Sequence, residues 1–79
     1  MATKFLEELN GGDTFQLNSI YFVLSMDYKK NGDRMCLSLK SGNTQWFTAN
    51  TIVHSMPIYT MDTENNLIAI KETPKNDIT

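Results

Sequence analysis

Cys36 and His54 are the side chains in this sequence with the intrinsic chemistry of a nucleophile and a base. A working pair needs thiol and imidazole within ~3 Å and usually a third group to orient the ring. Nothing in their placement predicts that geometry, and a chain of 79 residues has little room for a water-excluding cleft. The expectation is a protein that is not an enzyme, with Cys36 as a small packing residue and His54 at an edge or interface. One cysteine and one histidine also fall short of the four Cys/His ligands of a structural zinc site, so neither metal nor cofactor is expected. A lone thiol excludes an internal disulfide and fits a reducing compartment.

The stretch Tyr28-Lys29-Lys30-Asn31-Gly32-Asp33-Arg34 gathers three of the seven Lys/Arg residues beside an aromatic ring. Cations suit phosphates and aromatic faces suit bases, so such a loop could contact single-stranded RNA. Asp27 and Asp33 cut its charge to about +1, and a solvated hairpin tip is the plainer reading. Repetition around an oligomer would multiply a weak site. Phe15, Phe22, Trp46 and Phe47 are possible stacking platforms, but filling a small core is the commoner use of such rings. Trp46 and Phe47 are neighbours on one expected strand, so one faces inward and the other outward. Met26, Met35, Met56 and Met61 suit adaptable filling of core or subunit contacts.

The elements that must position these groups are short. Apolar residues make up 41% and charged residues 20%, ordinary for a globular chain. The net charge of −2 and pI near 5.1 give no basic field to draw the whole chain to nucleic acid or membrane. The longest apolar run, Ile20 to Leu24, is far below the ~20 residues of a membrane span. No secretory pattern opens the chain, so a soluble, cytoplasmic protein without membrane contact is expected. One domain over residues 1–72 is expected, with 73–79 as a flexible tail. A domain this small buries only roughly 60–65% of its unfolded surface. Without disulfide or metal, self-association is the common remedy.

Phe5, Leu6 and Leu9 share a helical face, Thr3 suits an N-cap, and Asn10-Gly11-Gly12 is a stop signal, which predicts a helix over 3–10. From Asp13 onward the period is two, predicting short strands. Phe15 and Leu17 alternate with polar residues, and Asn18-Ser19 is a turn or bulge. Ile20 to Lys30 is apolar on both alternations, as in a strand covered on two sides. Asn31-Gly32 marks a hairpin. Met35, Leu37 and Leu39 point one way on the return strand, and Arg34, Cys36, Ser38 and Lys40 the other. Ser41-Gly42-Asn43 is a second turn, and Asn50-Thr51 a break. Ile58–Met61 and Leu67–Lys71 flank a polar turn as one more hairpin. The sum is an all-β, small, strongly bent antiparallel barrel with a short N-terminal helix, whose open edges need partners.

This order resembles the Sm-like proteins, small SH3-like barrels with a short N-terminal helix. Asp33-Arg34-Met35-Cys36-Leu37-Ser38-Leu39 resembles the end of their first motif, and Ile52-Val53-His54-Ser55-Met56 the second. The likeness covers about 50 residues and implies a homo-oligomeric ring joined by edge strands and binding RNA. It places Cys36 at the family's Asn, His54 at its Arg, Ser55 at its Gly, and Arg34 where a side chain stacks on the base. Cysteine replaces an amide poorly as a hydrogen-bonding group, so the likeness speaks more for fold and assembly than for base recognition. The expected contacts to single-stranded RNA are Arg34 and His54, with Tyr28 beside them and Lys29 and Lys30 attracting the phosphates. The alternative is a protein–protein interaction or scaffold module. A small regulatory or phage-type accessory protein suits either.

Overall fold

A computed structural model describes residues 2–71. Within them eight strands form: β1 (Ala2–Phe5), β2 (Thr14–Leu17), β3 (Ile20–Tyr28), β4 (Arg34–Ser38), β5 (Thr44–Phe47), β6 (Ile52–Ser55), β7 (Tyr59–Met61) and β8 (Leu67–Ala69). The first six make one antiparallel sheet in the order β1-β6-β2-β3-β4-β5, and β7 and β8 form a separate hairpin. The fold is all-β. No ladder joins β1 to β5, so both remain open edges among the described residues. Among the described residues no helix is long and apolar enough to cross a membrane. The tail expected at 73–79 lies outside the described residues.

The helix expected over 3–10 is replaced by a strand and a single 3₁₀ turn, Leu6–Glu8. Strand β6 offers Ala2–Phe5 a full antiparallel partner, in register from Ala2↔Ser55 to Phe5↔Ile52. A two-turn helix has too few internal hydrogen bonds to compete with that ladder. The Leu6 N–H donates to the Thr51 carbonyl (2.8 Å) and the Glu7 N–H to that of Ala49 (2.9 Å), which carries the pairing past the strand end. The Glu8 carboxylate accepts from the Phe5 N–H at 2.8 Å, holding the turn closed. Leu6 and Leu9 thereby reach the core while Phe5 stays exposed.

The core consists of Leu6, Leu9, Phe15, Phe22, Leu24, Cys36 and Val53, with Leu17 and Phe47 packed against it. Phe15 and Phe22 stack at 5.4 Å between centroids, and Phe47 meets Phe22 edge-on at 5.4 Å. Alternation holds on β4, but Cys36 and Ser38 form the buried face, whereas Met35 and Leu37 are half-buried and Leu39 is exposed. Three phenyl rings occupy the interior, so only small side chains fit beneath them. On β3 the buried set is confined to Phe22 and Leu24. Beyond Leu24 the register against β4 shifts, Leu24↔Cys36 being followed by Tyr28↔Arg34, and this bulge leaves Met26 and Tyr28 exposed.

The turns follow local chemistry. Asn18 and Ser19 both have positive φ (52° and 65°), joining β2 to β3 in the twist that a two-residue hairpin requires. Gly32, at φ 95°, closes the turn between β3 and β4. Thr14 secures the exit from β6, its hydroxyl donating to the Met56 carbonyl at 2.6 Å. Lys71 and Asp13 form an ion pair that ties the end of β8 to the entry of β2.

Two outcomes are expected. Ser19→Gly removes a left-handed non-glycine residue and raises stability by about 0.5–1 kcal/mol in denaturant unfolding; an unchanged midpoint would exclude strain there. At Asp13, partial burial raises the carboxyl pKa, but the Lys71 hydrogen bond, the Asn10 N–H (2.7 Å) and the Lys71 charge outweigh it and hold the value below the ordinary 3.8. A carboxyl lowered in this way stabilises the fold fully above its unfolded value, and the contribution is lost as pH falls through the folded one. Thermal unfolding in wild type and Asp13→Asn therefore converges below pH ~4. The gap at neutral pH stays under about 1 kcal/mol, because the two side chains are 33% and 27% exposed and solvent screens the pair.

Candidate functional site

The Asn31-Gly32 turn carries the basic cluster to one end of the sheet. The Lys29 N–H donates to the Asp33 carbonyl and the Gly32 N–H to that of Lys29, both at 2.9 Å. The Asn31 side chain accepts from the Asp33 N–H at 3.0 Å, so the tip is internally braced. Lys30 projects from it, exposed.

Register then distributes the side chains. Tyr28 pairs with Arg34, and Arg34 with Phe47, which puts these three on one face. Tyr28 is 71% exposed at the rim, Arg34 half-buried, and Phe47 leads inward to the core. Met35 pairs with Trp46 on the opposite face. There the Lys29 ammonium lies 4.7 Å from the Trp46 ring centroid, a cation–π contact on an indole that is 39% exposed. Because β5 is an edge strand, both faces meet the same open border.

Tyr28, Lys29, Lys30 and Arg34 are thus brought together, and Trp46 joins them. Sequence spacing links Trp46 to Phe47 only. Its position beside Lys29 follows from the β4–β5 register, which no local pattern reveals. His54 does not join the group. It is exposed on β6 between Thr3 of β1 and Gln16 of β2, and β2 and β3 separate it from Arg34 in the sheet. The same two strands separate it from Cys36.

Cys36 is fully buried, its thiol facing the Arg34 carbonyl at 3.9 Å. Burial pushes its pKa up to about 11, with the Arg34 charge opposing the rise. Among the described residues no three His, Cys, Asp or Glu side chains converge as metal ligands. A shallow groove of about 100 Å³ opens elsewhere, along β1 and β6, lined by Thr3, Lys4, Phe5, Glu8 and Ile52. Comparison with protein-family models, curated proteins and solved structures returned no match.

The thiol gives a direct check on this geometry. Native Cys36 should react with iodoacetamide at pH 8 at least about 100-fold more slowly than in the urea-unfolded chain, followed by mass. Equal rates would place the thiol outside the core.

Proposed function

We propose that this chain is a non-enzymatic, Sm-like small β-barrel protein that assembles with copies of itself and binds single-stranded RNA. The observation that carries the reading is the Lys29 ammonium poised over Trp46 at an open sheet edge, with Tyr28 and Arg34 on the other face of that border. An incoming base takes the indole face in place of the ammonium, and Lys29 turns to the adjacent phosphate with Lys30. Arg34 offers a planar guanidinium to a second base or phosphate. The open edges β1 and β5 support assembly, since an edge of one copy joined to the opposite edge of the next generates a ring when the rotation closes. The net charge of −2 confines attraction to this border.

A second reading, a protein-binding scaffold module, draws support from the exposed apolar side chains of β7 and β8. Titration with short oligouridines separates the two. Trp46 is the single tryptophan, so its fluorescence reports base stacking directly. Binding is expected to quench it and to weaken with salt with a log–log slope near −2, for about three neutralised phosphates. Trp46→Ala and Arg34→Ala should each cost about 1–3 kcal/mol, with the former read by anisotropy of labelled RNA. Unchanged fluorescence and anisotropy at low salt would overturn the RNA reading and leave the scaffold one.

A further inference from the structure

We infer that the β7–β8 hairpin is a dimerisation arm whose apolar face is covered by the same face of a second copy of this chain. Pairing of Tyr59 with Ala69 and of Met61 with Leu67 places all four side chains on one face. Among the described residues it is largely uncovered: Tyr59 is 54%, Met61 57% and Leu67 69% exposed, and Ala69 is half-buried. A two-stranded hairpin is marginal alone in water, and this one pairs with no strand of the main sheet.

The hairpin is nonetheless built to hold its shape. One Asp62 carboxylate oxygen accepts from the N–H groups of Glu64 (2.8 Å) and Asn66 (2.9 Å), and the Asp62 N–H donates to the Asn66 carbonyl at 3.0 Å. At its base the Ile70 N–H donates to the Ile58 carbonyl (2.8 Å), and Lys71 is paired with Asp13. Both ends are braced while the face between them is bare, and bracing of this kind lowers the entropic cost of docking.

The occupant follows from area and charge. Tyr59, Met61 and Leu67 leave on the order of 400 Å² of residue surface in water, within the range of the largest apolar patch of a typical monomer, which is often functional. Two such faces pressed together remove about twice that, and the surrounding main chain brings the contact toward the roughly 1,000 Å² of a specific interface. No charged residue lies on either strand, so the face is complementary to itself, as a two-fold contact demands. Asp62 and Glu64 make the tip acidic, while at the base the Lys71 charge is neutralised by Asp13. The partner hairpin therefore runs antiparallel, tip over base, which keeps like charges apart.

The contact is independent of RNA and of the sheet edges, and the test keeps them apart. Sedimentation velocity of the full chain at 10–100 µM is compared with Leu67→Lys, Met61→Lys and, as an exposed apolar control outside the hairpin, Met26→Lys. Circular dichroism and Trp46 emission verify that each variant is folded. Wild type and Met26→Lys should sediment as even multiples of the 9.0 kDa chain. The hairpin variants should fall to half that mass, with a dissociation constant raised by at least about 100-fold, because a lysine there is buried without a partner. A monomeric wild type overturns the proposal and leaves the face to a protein of different sequence. Hairpin variants of wild-type mass also overturn it, assigning assembly to the edges, and so does an equal loss in Met26→Lys. Oligouridine titration of Leu67→Lys reads the RNA proposal separately.

Discussion

Contact between Phe22 and Phe47 sets the shape of this molecule. The two residues lie on β3 and β5 with β4 between them, and in a flat sheet those strands would stand about 9.5 Å apart. Their ring centroids are 5.4 Å apart. The sheet must therefore curl over β4, and it can do so only where β4 presents little bulk. Cys36 and Ser38 meet that need, both buried under the rings. Phe15, stacked on the other side of Phe22, continues the column to β2, and Val53, Leu6 and Leu9 close it from β6 and the N-terminal turn.

A core organised around three rings is soon full. Apolar residues make up 41% of the chain, yet seven form the buried cluster. Leu17 and Phe47 pack against it, but many of the other apolar residues among those described are exposed, and they are not scattered evenly. Phe5 and Ile52 face each other across β1 and β6, while Tyr59, Met61 and Leu67 share the hairpin face. Larger proteins absorb such a surplus in a bigger interior. Here volume grows too slowly with chain length for that, so the surplus remains at borders and on the arm. The same geometry leaves two unpaired edges, because six strands curled around so narrow a column do not complete a closed ladder.

Much of this was legible from residue order, and the parts that were not share a cause. Turn chemistry is local, so Asn18-Ser19, Asn31-Gly32 and Ser41-Gly42-Asn43 could be placed in advance. Strand alternation is local too, and it placed β2 to β8 closely. Which side of a strand is buried is a tertiary matter. On β4 the alternation separates Met35, Leu37 and Leu39 from Arg34, Cys36, Ser38 and Lys40 without saying which side is inward, and the phenyl rings select Cys36 and Ser38. The N-terminal segment fails for a related reason. Phe5, Leu6 and Leu9 fit a helical face as well as they fit a strand ending in a 3₁₀ turn, and the deciding partner, β6, is almost fifty residues away. Propensity could not see it.

The candidate site depends on these same nonlocal constraints. The bulge after Leu24 ends the inward run on β3 and sends Tyr28 to the rim, while the β4–β5 register delivers Trp46 beside Lys29. A basic loop in isolation would be a solvated hairpin tip, since Asp27 and Asp33 nearly cancel its charge. What distinguishes it is an indole supplied by a different strand at a border with no neighbour. His54 shows the converse. A residue can occupy a suggestive position in a motif and still be carried away, because strand order, rather than sequence order, decides which side chains meet.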